Sequence, residues 1–314
     1  MGHVRSDAEE QVAELLSTAK DALGLSLTFL SRLDGTTQHL EVVESSIPLF
    51  KDGQTQPQDS SFCQAILDGK LPPVIPNVAK LPEAKRLPAA RFPRIRSYVS
   101  VPVHLSDGSL YGTFCAAGFT ADKGLTKRDQ ALMEVLARAA AAVIEPGVNE
   151  RRREAGIRER LDPVIAAGGP VVVVQPIVEL LTGHRVGAEA LSRFPQEWGL
   201  APDVCFAEAA TIGEGVALEL LAVRNAVAHL DRLDGYLAVN LSPHSLFDPR
   251  CSSLLSEFGH ACGAVVVAEG VETSEDADAL LSESVDHGQG WYFGRPGPVD
   301  ALAAVGLAAP APLT

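Results

Sequence analysis

Residues 97–118 read SYVSVPVHLSDGSLYGTFCAAG. β-branched and aromatic residues stand on both sides of Ser106-Asp107-Gly108, so the stretch predicts an antiparallel hairpin with strands at 97–103 and 110–117. A second hairpin is expected around Asp34-Gly35, between 25–32 (LSLTFLSR) and 39–44 (HLEVVE). Together the two hairpins make an antiparallel sheet the centre of the first half of the chain. Before them, residues 7–23 place Val12, Leu15, Leu16, Ala19 and Leu23 at helical spacing, with acidic residues in the first turn where the helix dipole favours them. Between the hairpins, 60–67 reads as a short capped helix and 73–77 as a strand that its prolines assign to an edge. A basic stretch follows, and a long helix at 126–144 closes the region.

This order of helix, hairpin, helix, strand, hairpin and closing helix resembles the GAF family. The likeness is carried by SFCQAILDG at 61–69, IPNVAKLPEAK at 75–85, SYVSVPV at 97–103 and DGSLYGTFCAAG at 107–118. The resemblance implies a sensor domain that binds a small molecule, a chromophore or nothing over its central sheet, and that often pairs with a second copy through its terminal helices. No NKFDE-type signature for cyclic nucleotides is visible, so the ligand is unknown at this level. Cys63 and Cys115 leave two readings open: a heme, bilin or redox ligand site, or buried thiols acting as small hydrophobes.

The chain has 314 residues, more than one hydrophobic core usually serves, and its 46% apolar content supports compact folding. Its formal net charge is −14, with 15 Lys and Arg against 18 Asp and Glu in residues 1–150 and 11 against 22 in the remainder. That balance argues against nucleic-acid polymers and against anionic membranes as partners. The five cysteines form no CxxC pair, and no leader or long apolar run is present, so a reduced, cytoplasmic setting is expected.

Pro146-Gly147 is expected to stop the closing helix. The charged run Glu150-Arg151-Arg152-Arg153-Glu154 then starts a second helix reaching about Ala167. The predicted organisation is a first domain over 1–146, a helical linker over 147–168 and a second domain over 169–314.

In the second domain, VVVVQPIVE at 171–179 is a nearly continuous β-branched run, as expected of a strand buried on both faces. After Thr182-Gly183-His184, residues 186–193 form a second strand that carries Glu189. A carboxylate in an apolar strand is costly unless paired or metal-bound, and the same reasoning marks Asn240 in 237–243 and Glu269 in 265–272.

QPI at 175–177, EALSR at 189–193, VNLSP at 239–243, AEGVET at 268–273 and GQGWYFGRP at 288–296 recur in an order that resembles the EAL family of cyclic-di-GMP phosphodiesterases, over about 170–300. The resemblance implies a TIM-like barrel that hydrolyses cyclic-di-GMP with one or two Mg2+ or Mn2+ ions. Carried over by position, Glu189, Asn240 and Glu269 match metal ligands, and Glu272 and Gln289 match residues of the catalytic segments. Arg193 matches the arginine that holds a ligand phosphate, and Leu191 and Gln175 lie at nucleotide-contacting positions.

The departures from the family are as specific as the likeness. Between Asn240 and Glu269 the family has further strands carrying a metal-binding Glu, a paired Asp-Asp and a Lys. Here Leu246 to Ala264 holds little beyond one helix at 252–262, no lysine occurs after residue 150, and no adjacent Asp-Asp pair occurs anywhere. Residues 151–314 number 164, against about 250 for an eight-stranded barrel.

The expected fold is therefore α/β: a GAF-type antiparallel sheet with flanking helices plus an incomplete TIM-like (EAL) β/α barrel. Two functions are open. One is a noncatalytic signalling module that binds a protein partner or, weakly, cyclic-di-GMP, with a residual Mg2+ or Mn2+ site. The other is an active phosphodiesterase whose site is completed across an oligomer. An incomplete barrel exposes strand edges, so a homo-oligomer is expected in both, or a partly open sheet covered by helices in 201–231.

Overall fold

The computed structural model describes residues 5–242, 245, 248–251, 267–269, 271–282 and 287–293. The chain divides into two compact units, 1–151 and 152–314.

The first unit is built on six antiparallel strands: β1 (Leu27–Leu33), β2 (Thr37–Ser45), β3 (Gln54–Pro57), β4 (Val74–Ile75), β5 (Ser97–His104) and β6 (Leu110–Gly118). Their order across the sheet is β3-β2-β1-β6-β5-β4, with both expected hairpins in place and β4 at an edge. The polar strand β3 carries no apolar alternation and is found only through its pairing with β2.

Alternation along the strands creates two apolar layers. Leu30, Val99, Val101, Phe114 and Ala116 face one side, where they pack with Val12, Leu16 and Ala19 of α1 (Asp7–Leu23) and with Met133, Leu136 and Ala140 of α5 (Lys127–Ala166). Helix α1 begins at a capping box between Ser6 and Glu9 and ends at Gly24, whose φ of 63° is the left-handed cap conformation. On the opposite side, Leu27, Phe29, Tyr98, Cys115 and Ala117 pack with Phe62, Cys63 and Ile66 of α2 (Phe62–Leu67). The short helices α3 (Pro82–Arg86) and α4 (Pro88–Arg91) add Ala84 and Ala90 to that layer.

Helix α5 is a correction to the sequence reading, because it runs unbroken through Pro146 and Gly147. Proline forfeits one N–H bond, but the carbonyl left behind belongs to exposed Ala142, which water can serve. Apolar packing holds the helix on both sides of the pair. Ala141 and Val148 are buried in the first unit's core, and Ile157 and Leu161 in the second's. Packing therefore overrides the local stop signal.

In the second unit, β7 (Val171–Val178), β8 (Arg185–Arg193) and β9 (Tyr236–Ala238) form a sheet in that order, β7 antiparallel and β9 parallel to β8. Helices α6 (Pro202–Thr211) and α7 (Gly215–Val227) lie between β8 and β9 in the chain. A separate parallel pair joins β10 (Val267–Glu269) and β11 (His287–Gln289), with α8 (Ser274–Ser282) between them. No closed barrel forms among the described residues. The expected helix at 252–262 and the chain after 293 lie outside the described residues.

The expectation that residues 171–179 are buried on both faces is also corrected. Val171, Val173, Val174 and Val178 are exposed, Val171 by 69%. β7 is the edge of its sheet, bonded only to β8 among the described strands. A β-branched run identifies a strand but not how many of its faces are covered.

Candidate functional site

In the second unit, β8 presents Glu189, Leu191 and Arg193 at alternate positions, so the three project from one face. Gln175 of β7 is the register partner of Glu189, and Ala238 of β9 is its parallel partner. Two residues beyond β9, Asn240 donates from Nδ2 to Glu189 Oε1 at 2.9 Å. Leu191, Arg193 and Asn240 border a cavity of about 280 Å3, together with Val172, Asp203 and Phe206. Arg193 is exposed and donates from one guanidinium nitrogen to the Ser192 carbonyl at 2.9 Å. A planar group with five N–H donors suits a phosphate, whereas Asp203 on the same wall opposes one.

Two residues that the sequence reading passed over hold this arrangement. Glu219 of α7 accepts from the backbone N–H and the hydroxyl of Ser242, at 2.9 and 3.2 Å, and so fixes the loop that carries Asn240. Asn225 of the same helix donates to the carbonyls of Gly168 and Pro170, both at 3.0 Å, anchoring the start of β7. Their only signal in the sequence is a carboxylate and an amide within GVALELLAVRNAV, where Arg224 is the one other polar side chain.

Of the remaining predicted residues, Glu269 and Gln289 lie on the other sheet and Glu272 follows it. Glu269 and Gln289 are register partners across β10 and β11, and the Gln289 carbonyl accepts from Val271 N–H at 3.1 Å. Glu272 is exposed at the entrance to α8, where its backbone N–H donates to Asp276 at 3.2 Å. Bonds from the Thr273 side chain and from the backbone N–H groups of Thr273 and Glu272 hold the Asp276 carboxyl below the usual carboxylate range.

The metal chemistry implied for this site is that of Mg2+ or Mn2+, hard ions that take oxygen ligands, octahedrally in the case of Mg2+ and with several waters retained. Glu189 and Asn240 supply one carboxylate and one amide. No group of three His, Cys, Asp or Glu assembles among the described residues. On their own, Glu189 and Asn240 would leave most of an octahedral shell to water.

The first unit holds a second cluster, buried beneath α2. Ser31 and Thr113 are cross-strand partners bonded at 2.8 Å, and Cys115 pairs with Phe29 on one side and Ser100 on the other. Cys63 Sγ lies 3.2 Å from Cys115 Sγ and 3.1 Å from Tyr98 Oη. Gln38 donates through Nε2 to Ser31 Oγ and to Cys63 Sγ, both at 2.9 Å, while its Oε1 accepts from Gln56 at 2.6 Å. Cys63 and Cys115 are 1% and 0% exposed.

Burial opposes ionisation of Cys63, but bonds from Cys115, Thr113, Tyr98 and Gln38 outweigh it and hold this thiol below its ordinary range. Burial, and then the neighbouring Cys63, push Cys115 up, and burial raises Tyr98 as well. The sequence reading named the two cysteines but not Gln38, Ser31, Thr113 or Tyr98, whose signal is a polar group at an inward strand position. The Phe62 and Tyr98 rings stack at 4.8 Å and fill the adjoining space.

Residues 6–145 match the family model of the GAF domain, which identifies the first unit's fold and stops short of the second unit. No curated protein matches the chain. Among solved structures, the chain is similar to the GAF domain of an Acinetobacter phosphoenolpyruvate-protein phosphotransferase, at 13% identity over 46% of this chain and 86% of that one, TM-score 0.39. Another is the blue-light absorbing form of the Thermosynechococcus elongatus PixJ GAF domain, at 13% identity over 49% and 94%, TM-score 0.38. A third is free methionine-R-sulfoxide reductase from Neisseria meningitidis, at 19% identity over 45% and 80%, TM-score 0.36. Among the described residues no helix is long and apolar enough to cross a membrane.

Proposed function

We propose that the chain is a cytoplasmic signalling protein in which a GAF sensor or dimerisation domain is coupled to a shortened, noncatalytic EAL-like domain. The second domain acts by binding a protein partner or, weakly, cyclic-di-GMP. The observation that carries this reading is the bonded pair of Glu189 and Asn240 in a sequence that lacks the Lys and the Asp-Asp pair the EAL resemblance calls for. Glu189 and Asn240 bond beside a cavity bordered by Leu191 and Arg193, yet the chain has no lysine after residue 150 and no Asp-Asp pair.

Arg193 is assigned to a ligand phosphate. Calorimetric titration with cyclic-di-GMP is expected to give weak binding that Arg193→Ala reduces about tenfold or more, since hydrogen bonds to charged groups carry roughly 1.5–3 kcal/mol. Equal affinity of the variant and the wild type would remove Arg193 from the site. Absence of binding by the wild type would leave the protein partner as the ligand.

The exposed β7 edge, with its valines and with Leu180 and Leu181 in the following turn, supports self-association. A homo-oligomer is expected by light scattering at micromolar concentration, and a clean monomer would count against it. That edge also favours a second reading, an active phosphodiesterase completed by another subunit. In that reading Glu189, Asn240 and Glu269 contribute to a Mg2+ or Mn2+ site, and Glu272 and Gln289 serve the hydrolytic step.

A further inference from the structure

We infer that Cys63 and Cys115 are a redox-responsive dithiol, closing to a disulfide that ties helix α2 to strand β6 when the protein meets a hydroperoxide. Three features of the first unit carry this.

The sulfurs lie 3.2 Å apart, so a bond of about 2.05 Å needs an approach of only about 1 Å. The donors around them are unequal. Gln56 engages Gln38 Oε1, which turns the Gln38 amino group toward Cys63, and Tyr98 Oη lies on the same sulfur. Cys115 neighbours the hydroxyl of Ser100 and shares that of Thr113 with Cys63. One thiol is thereby prepared as the nucleophile and the other as the resolving partner. The two also sit on elements of different kind. Cys115 is in the middle of the sheet, whereas Cys63 is the second residue of a six-residue helix, short enough to open locally.

The chemistry balances with a hydroperoxide as oxidant. The Cys63 thiolate attacks the outer peroxide oxygen, the O–O bond breaks, and the alkoxide leaves and takes up a proton as alcohol. The sulfenic acid formed on Cys63 is attacked by the Cys115 sulfur. An S–S bond forms and hydroxide leaves, taking the Cys115 proton to become water. Two thiols lose two electrons and one peroxide is reduced. Because both sulfurs are buried, the rate follows opening of α2 and the reaction is slow beside that of an exposed thiol.

The test is peptide mapping of the full-length protein after hours with excess hydrogen peroxide, then alkylation under denaturing conditions. Trypsin places Cys63 in 52–70 and Cys115 in 97–123. The expected result is a cross-linked pair of these two peptides that dithiothreitol separates. In Cys115→Ala, dimedone is expected to trap a sulfenic acid on Cys63. Recovery of both cysteines from the wild type as alkylated free thiols, or of Cys63 over-oxidised without a cross-link, would overturn the inference. The wild-type map decides the matter even if the variant does not fold.

Discussion

Replacing Gly112 with alanine is expected to destabilise the first unit by about 3 kcal/mol or more, a fall of about 10 °C in its thermal midpoint. Gly112 lies in β6 opposite Arg32 of β1, at the central pairing of the six-stranded sheet. A Cβ there would stand 1.8 Å from the Ser31 carbonyl oxygen, 2.8 Å from its carbon and 3.0 Å from the Arg32 Cα. All three are backbone atoms, so no rotamer change relieves the clash and β1 itself must move. On its other side β1 pairs with β2, where the register shifts between Leu30 and Ser31, next to the same carbonyl. Displacing Ser31 would also disturb its bond to Thr113 at 2.8 Å and, through Gln38, the cysteine cluster. Thermal unfolding followed by circular dichroism measures the effect, and a midpoint within a degree or two of the wild type would show that the strands separate more easily than their geometry implies.

Much of the first unit was legible because its signals are local. Asp34-Gly35 and Ser106-Asp107-Gly108 mark turns flanked by runs of β-branched, aromatic and other apolar residues, and the spacing of Val12, Leu16, Ala19 and Leu23 gives α1 its observed limits. Elements whose existence depends on distant contacts were not legible. The exposed β3 is a strand because β2 supplies its partner, and α5 crosses Pro146-Gly147 because Ala141 and Val148 are buried on either side. β7 shows the converse, since its valines promised two covered faces and the sheet ends there.

Sites followed the same rule. Glu189 and Asn240 stood out as polar groups in apolar strands, and they do meet, although 51 residues separate them. Glu219, which fixes the loop carrying Asn240, could not be singled out because a glutamate on a helix ordinarily faces solvent. Gln38 was hidden for a related reason. Nothing along the sequence tells that its amide turns inward to a cysteine 25 positions away.

The largest expected effect concerns catalysis. An acidic phosphodiester site works as a unit, in which carboxylates hold the metal, a base activates water and a cation offsets charge on the phosphate. Removing members of such a unit costs about four to six orders of magnitude in rate. On the proposed reading Glu189 and Asn240 are one bonded pair of such a unit, and the chain has neither a lysine after residue 150 nor an Asp-Asp pair to complete it. Overnight incubation of the purified protein with cyclic-di-GMP and Mn2+ or Mg2+, followed by chromatographic separation of the nucleotides, tests this directly. Unchanged cyclic-di-GMP is the expected result, whereas linear pGpG that disappears in Glu189→Ala would contradict the proposed function and establish the second unit as an enzyme.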